Sequence, residues 1–178
     1  TAAAIKEKSG GAWSYRVTNC DRSIGARLSG EIAQLHGNQG MVDALGPWLD
    51  TVEGNATLVL HQLGSHGPSY YQRYSEQERL FRPDFRTSAF ADCTSEEIVN
   101  AYDNTIVATD HMLAQVIDLL AARSDRFASA MIYMSDHGES LGEKGLYLHG
   151  MPYMIAPSQQ THIPFVMWVS PSYSRLFG

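Results

Sequence analysis

The chain has 178 residues, of which 44% are hydrophobic and 18% are charged. This composition is typical of a folded globular protein and excludes a largely disordered one, because enough apolar surface is available to form a core. The formal net charge is −6, from 13 basic and 19 acidic residues, and no run of Lys and Arg occurs. A nucleic-acid partner is therefore not expected. No apolar run approaches the roughly 18 residues of a transmembrane helix, and the first residues do not form a signal peptide.

The first half of the chain predicts one helix and one strand. Glycines interrupt every pattern in residues 1–39, so loops and short elements are expected there. Residues 41–49 have apolar positions at helical spacing, and Pro47 predicts that this helix is short or broken. The apolar run at residues 56–63 predicts a buried strand, within which His61 is interpreted as a packed core histidine.

The second half predicts a long helix between two further strands. Thr94 and Glu97 have the spacing of a capping box, and apolar residues then recur every three or four positions, so a helix is expected over residues 95–123. Apolar runs at residues 130–134 and 163–169 predict the strands. Since strand, helix and strand follow in order, we expect a right-handed crossover between two adjacent parallel strands. The predicted fold is α/β, with a mostly parallel sheet flanked by helices.

Histidines follow two of the predicted strands at their C-terminal ends. His66 lies in the turn after the first strand, and Asp136 and His137 directly follow the next one. His149 lies further on, in a loop rich in glycine. Because ligands of open α/β sheets bind beyond the C-terminal ends of the strands, we expect these four side chains to meet in one crevice.

Asp136 and His137 offer a carboxylate and an imidazole, a donor pair that suits zinc, manganese or iron. Neighbouring strand residues point to opposite faces, so the two share one metal only if the chain turns, and Gly138 permits a turn. The alternative is a strand-to-helix turn with an Asp cap and a surface histidine. With the glycine-rich loop that follows, we favour the metal. Glu139 and Glu143 are interpreted as acidic residues at a helix N-terminus, with contacts to metal ligands as the alternative.

Three motifs of the chain resemble the phosphoethanolamine transferases that modify lipid A. They are SDHGESLGE with YLHGMP at residues 135–143 and 147–152, LHQLGSHGP at 60–68, and NAYDN at 100–104. That family belongs to the alkaline phosphatase and sulfatase superfamily and includes the mobile colistin-resistance enzymes. The resemblance covers roughly residues 55–168, and the motifs follow the family's order. It implies an alkaline phosphatase and sulfatase-like fold.

The resemblance also implies a role for each candidate site residue. Asp136 and His137 match the aspartate and histidine that bind zinc in the family. His66 and His149 match histidines that bind the phosphate group or a second zinc, so one or two zinc ions are implied. The family's nucleophile is a threonine, and a glutamate completes its first zinc site. No stretch of residues 1–50 resembles either motif, so no catalytic nucleophile is assigned in this chain.

The activity that the resemblance implies is transfer of phosphoethanolamine from a phospholipid to lipid A or a related envelope glycan, through a covalent threonine intermediate. It implies an enzyme at the periplasmic face of the inner membrane, of the kind that confers polymyxin resistance. The alternatives are a sulfatase or phosphodiesterase of the same superfamily, or an inactive metal-binding fragment. Membrane association is expected through segments absent from this chain.

Residues 1–178 are interpreted as a single domain, part of a periplasmic catalytic domain without its N-terminal nucleophile segment, since Thr1 is not a natural start. Without a nucleophile the chain alone is expected not to transfer phosphoethanolamine. Zinc binding by the chain alone is expected to be weak, because Asp136 and His137 supply two of four ligands. Cys20 and Cys93 are two free thiols or one disulfide, and the sequence leaves this open.

Overall fold

The structure, a computed structural model, describes residues 13–19 and 37–177 of the chain. It divides into two units by internal packing, Thr1–Leu63 and Gly64–Gly178. All four candidate site residues belong to the second unit. Among the described helices, none combines the length and the hydropathy needed to cross a membrane.

The first unit contains a parallel strand pair with a helix between the strands in sequence. β1 (Trp13–Asn19) and β2 (Asn55–His61) pair along their whole length, first residue opposite first and last opposite last. α1 (Gly37–Thr51) lies between them in the chain. Loops and short elements are predicted for residues 1–39. Within that range the structure describes β1 and the start of α1, and the rest of the prediction lies outside the described residues.

The prediction that Pro47 shortens or breaks the first helix is wrong. α1 is a continuous helix of 15 residues with Pro47 inside it. A proline in a helix interior costs about 3 kcal/mol through a lost hydrogen bond and a clash with the preceding turn. Burial of an apolar side chain contributes roughly 1.5–3 kcal/mol, so a buried stripe offsets that cost. The apolar side chains that α1 buries are Met41, Val42, Leu45 and Leu49.

β2 confirms the predicted strand but not its predicted burial. Its residues alternate between exposed and half-buried, and 44% of Val59 is exposed. His61 is exposed as well, so its interpretation as a core histidine is wrong. An unbroken apolar run does not distinguish a strand buried on both faces from one that is partly covered.

The second unit is organised around the long helix α2 (Ser95–Ala121), which confirms the predicted helix. The predicted capping box is present: the Thr94 side chain accepts from the Glu97 backbone N–H, and the Glu97 side chain accepts from the Thr94 backbone N–H. The predicted three-four stripe is buried too, since one face of the helix packs inward. Its apolar members are Ile98, Ala101, Ala108, Met112 and Val116.

Between β2 and α2 the chain forms an irregular excursion over residues 70–92, with 3₁₀ turns at Tyr70–Gln72 and Phe90–Asp92. Asn104 on α2 is fully buried and binds both backbone groups of Phe81. Its Oδ1 accepts from the Phe81 N–H at 2.8 Å, and its Nδ2 donates to the Phe81 carbonyl at 2.9 Å. One buried side chain therefore fixes the middle of the excursion to the helix.

Asn104→Ala is expected to lower the free energy of unfolding by about 2–3 kcal/mol, because it removes two hydrogen bonds and leaves buried groups without partners. Asn100→Ala is the matched control one turn earlier, where a single bond joins Asn100 Nδ2 to the Pro83 carbonyl. That change should cost about 0.5–1 kcal/mol. Urea denaturation of both variants measures the difference, and equal losses would contradict the role assigned to Asn104.

The strands of the second unit form two antiparallel pairs. β3 (Ala130–Met134) pairs with β6 (Phe165–Val169), and β4 (Ser140–Leu141) pairs with β5 (Tyr147–Leu148). β2 takes β1 as its partner and β3 takes β6. The predicted parallel crossover from β2 to β3 would join the two units and stays a prediction. β3 is also less buried than predicted, with Ile132 60% exposed.

Two short helices, α3 (Ser158–Thr161) and α4 (Pro171–Phe177), complete the second unit. The helices and sheets confirm the α/β class, and one of the three described strand pairs is parallel. Cys93 carries a free thiol, and Cys20 lies outside the described residues.

Candidate functional site

The first part of the site is the turn that follows β3, at Ser135–Gly138. Ser135 Oγ donates to the His137 carbonyl at 2.6 Å, and the His137 backbone N–H donates to Asp136 Oδ1 at 3.0 Å. The Gly138 N–H donates to the Gln160 carbonyl at 3.0 Å. These bonds close the turn, and the chain continues into β4 rather than into a helix. The alternative of a strand-to-helix turn with an Asp cap is therefore wrong.

The hairpin of β4 and β5 returns the chain to this turn and carries His149 at its end. Ser140 lies opposite Leu148, so the residue after Leu148 comes back close to the residues before Ser140. The rings of His137 and His149 stack, with centroids 3.9 Å apart and an interplanar angle of 29°. Two histidines that are separated in sequence are thus brought into ring contact.

His66 completes a group of three imidazoles. Its ring centroid lies 4.8 Å from that of His149 and 6.0 Å from that of His137, with edge-to-face orientations. One ring nitrogen from each histidine can be chosen so that the three atoms lie within 4.8 Å of one another. All three side chains are partly exposed, so an ion or a phosphate group can reach them from solvent.

The hydrogen bonds of the three rings define which nitrogen each one offers. In every case Nδ1 lies against an oxygen that accepts and does not donate, so Nδ1 carries the proton. In the neutral ring the lone pair then resides on Nε2, the atom available to a metal. The acceptors are the Gly67 carbonyl for His66 at 2.6 Å, the Gly138 carbonyl for His137 at 3.0 Å, and Glu139 Oε1 for His149 at 2.8 Å.

Asp136 lies beside this group without joining it. Its side chain is 84% exposed, and its Oδ1 atom is 3.8 Å from His137 Nε2. Two ligands of a tetrahedral zinc ion, each at about 2.0–2.1 Å, lie roughly 3.3 Å apart. The separation of Asp136 and His137 therefore fits a shared zinc after a small movement of the exposed carboxylate. Three imidazoles and a carboxylate form a donor set that suits this metal.

Glu139 is a site residue that sequence reasoning misassigned. It is 7% exposed and lies directly before β4, so the interpretation as a helix N-terminal residue is wrong. Its carboxylate accepts from His149 Nδ1, from the Gly67 N–H and from the Tyr70 hydroxyl. Burial, together with the hydrogen bond to Glu139, raises the pKa of Tyr70 well above its usual range. The hydroxyl therefore stays protonated and donates to the carboxylate. The position of Glu139 close to Asp136 and His137 in the sequence was the signal that could have identified it as a site residue.

Gln160 on α3 is a second residue that sequence reasoning missed, and it braces three segments of the site. Its Nε2 donates to the Ser140 hydroxyl at 2.9 Å, and its Oε1 accepts from the Met151 N–H at 3.3 Å. Its own carbonyl accepts from Gly138. The side chain is buried, and no local pattern around it indicates this role.

The backbone around Gly138 leaves no room for a side chain. A Cβ atom placed on this residue would lie 1.9 Å from the Gln159 carbonyl oxygen, far inside van der Waals contact. The β3 turn and the α3 segment approach this closely only because the position is a glycine.

An open cavity of about 400 Å³ lies beside Glu139. The other residues that line it are Tyr102, Leu141, Glu143, Ser158, Gln159 and His162.

The fold and the histidine cluster can be compared with known proteins. The sulfatase family profile matches residues 15–175, and the chain belongs to the sulfatase family. Among curated proteins, phosphoethanolamine transferase EptA of Escherichia coli strain K12 is 45% identical over 133 residues, 75% of this chain and 24% of that protein. The chain thus spans about a quarter of the length of this relative.

Two solved structures match most of the chain. The soluble domain of lipooligosaccharide phosphoethanolamine transferase A from Neisseria meningitidis is 38% identical, with a TM-score of 0.78 over 90% of this chain and 52% of that one. The C-terminal periplasmic domain of phosphoethanolamine transferase EptC from Campylobacter jejuni is 37% identical, with a TM-score of 0.76 over 91% and 53%. The predicted family resemblance and the sulfatase-like fold are confirmed. The roles of the individual site residues stay predictions.

Proposed function

We propose that the protein transfers phosphoethanolamine from a phospholipid to lipid A or a related envelope glycan, and that this chain supplies phosphate- and metal-binding residues. The observation that carries the proposal is the convergence of His66, His137 and His149, with Asp136 beside them. The names of the relatives, all phosphoethanolamine transferases, support the choice of the transferred group.

Each side chain has a role in this proposal. Asp136 and His137 hold a zinc ion, which when bound neutralises phosphate charge and lowers the pKa of a nucleophilic hydroxyl. His66 and His149 lie where they bind the phosphate oxygens or a second zinc. With Nδ1 protonated, each ring donates from Nε2 when it is charged and binds metal through Nε2 when it is neutral.

The group transfer takes place in two displacements at phosphorus. In the first, the oxygen of a threonine from the whole protein bonds to phosphorus, and the bond to the diacylglycerol oxygen breaks. The threonine proton passes to that departing alcohol. In the second, an acceptor oxygen bonds to phosphorus, the bond from phosphorus to the threonine oxygen breaks, and the acceptor's proton passes to the threonine. The cavity beside Glu139 provides space for part of the donor or the acceptor.

One of the two solved structures is described as a soluble domain and the other as a periplasmic domain, and these descriptions support the proposed location. We place the whole protein at the periplasmic face of the inner membrane, where both the phospholipid and lipid A are accessible. Membrane attachment is then a property of segments other than this chain.

A chimera tests the proposed function. The chain replaces the segment that it matches in the Escherichia coli transferase, and mass spectrometry measures phosphoethanolamine on lipid A. We expect transfer by the chimera, and a loss of about 10²–10³-fold in rate for His66→Ala or His149→Ala, the usual effect of removing one preorganised group. His111→Ala is the control, since His111 is exposed and pairs with Glu78 on the surface.

A folded chimera that transfers nothing but hydrolyses a nitrophenyl sulfate or a phosphodiester would favour the sulfatase or phosphodiesterase alternative. A chimera that retains full transfer after both histidine substitutions would contradict the proposed site.

A further inference from the structure

Glu139 accepts hydrogen bonds from three parts of the second unit at once, although the proposed chemistry assigns it no task. We propose that Glu139 and Tyr70 form a buried positioning pair that fixes the tautomer and orientation of His149 and holds the turn of His66. The relevance of this pair to phosphate transfer rests on the proposed function. Neither residue touches substrate in this proposal, since both act through the histidines.

The contact with His149 determines which ring nitrogen faces the site. Glu139 Oε1 lies 2.8 Å from His149 Nδ1, and only 4% of the Glu139 side chain is exposed. A carboxylate that accepts at Nδ1 keeps the proton there and leaves Nε2 for the ligand. The Nδ1 proton of His137 is fixed in the same way by a backbone carbonyl, which no side-chain substitution removes.

The contact with Gly67 positions the second histidine. The Gly67 N–H lies 3.3 Å and 3.2 Å from the two carboxylate oxygens of Glu139, and the Gly67 carbonyl accepts from His66 Nδ1. A Cβ atom on Gly67 would lie 2.5 Å from Leu148 Cδ2 and 2.9 Å from the Tyr70 ring. Gly67 is therefore held between the carboxylate and the β5 strand, and His66 is held with it.

Tyr70 supplies the third hydrogen bond to the Glu139 carboxylate. It is fully buried, and its hydroxyl donates to Glu139 Oε2. Its ring lies 5.5–6.2 Å from three aromatic rings around it, so it has no freedom to follow a moving carboxylate. The aromatic neighbours are Phe85, Phe90 and Tyr102. The aromatic core thus determines where the histidines lie.

Histidine-ring nitrogen NMR tests the proposal without any turnover. The full chain is labelled with ¹⁵N and kept metal-free at a pH where the rings are neutral, and long-range proton–nitrogen correlations report which nitrogen is protonated. We expect Nδ1–H for all three histidines of the cluster. Glu139→Ala is expected to move the proton of His149 wholly or partly to Nε2, whereas Glu139→Gln retains Nδ1–H because its amide oxygen still accepts. His137 keeps its tautomer in both variants.

Three results would overturn the assignment of Glu139. They are a wild-type His149 protonated at Nε2, a folded Glu139→Ala chain with unchanged His149, and equal changes in all three rings for both variants. The wild-type and Glu139→Gln spectra decide the question if Glu139→Ala does not fold. The NMR experiment involves no transferase assay. A chimera that fails to transfer would therefore contradict the proposed function without affecting the tautomer assigned to His149.

Zinc titration tests the part assigned to Tyr70. Tyr70→Phe is expected to lower the zinc affinity of the chain about 10-fold, the lower range for partners of metal-site residues. Tyr71→Phe is the matched control, because it removes a hydroxyl one residue away that pairs with Gln72 instead. Equal affinities for the two variants would remove Tyr70 from the positioning pair.

Discussion

Gly138→Ala is expected to destabilise the chain by about 2–4 kcal/mol and to abolish the alignment of the β3 turn with α3. The added Cβ would lie 1.9 Å from the Gln159 carbonyl oxygen, a backbone atom that cannot rotate away. Overpacking of this kind costs roughly 1–3 kcal/mol, and separation of the two segments also breaks the bond from the Gly138 N–H to the Gln160 carbonyl. Chemical denaturation measures the loss.

Gly145→Ala provides the control for this change. Gly145 has no heavy atom within 4 Å of its added Cβ, but its φ is +75°, so the variant pays only the cost of a left-handed backbone, about 1–2 kcal/mol. A Gly138→Ala chain as stable as the wild type, or less destabilised than Gly145→Ala, would contradict the close approach that the structure describes.

The sequence predicts those features of the site that depend on local pattern. Asp136 and His137 follow an apolar run directly, so the strand end and the donor pair are visible together. The capping box of α2 is equally local, because Thr94 and Glu97 are three residues apart. The same pattern of an apolar run ending in a turn indicates His66, and the glycine-rich loop contains His149; the family motifs imply a role for each.

The features that sequence reasoning missed depend on contacts between distant residues. Glu139 and the Gly67 N–H are 72 positions apart, and Gln160 meets Ser140 across 20 positions. No periodicity encodes such a contact, since a buried glutamate and a helix-capping glutamate look alike in sequence. The pairing of β3 with β6 was not predicted for the same reason. Both strands are apolar, and their composition does not specify which strand each one pairs with.

The zinc affinity of the chain is expected to fall by a factor on the order of 100 or more when His137 is replaced by alanine. Structural zinc sites with four ligands have apparent binding energies of roughly 10–16 kcal/mol, so one ligand accounts for about 3 kcal/mol. Each 1.4 kcal/mol corresponds to about a tenfold change in affinity. Isothermal titration at neutral pH measures the affinity, and His111→Ala should leave it unchanged.

The double variant Asp136→Ala, His137→Ala extends this test, since both proposed zinc ligands are then removed. Wild-type affinity itself is expected to be modest, because Asp136 and His137 supply two of the ligands and the neighbouring histidines have to move closer to contribute. Tight stoichiometric binding that survives the double variant would place the metal elsewhere in the chain.

The most direct test of the proposed site is anomalous diffraction at the zinc edge from zinc-soaked crystals of the chain. We expect the strongest peak within about 2.0–2.2 Å of Asp136 and His137, with His66 or His149 at the same or a second peak. A strongest peak at the surface pair of His111 and Glu78, with none at the cluster, would contradict it.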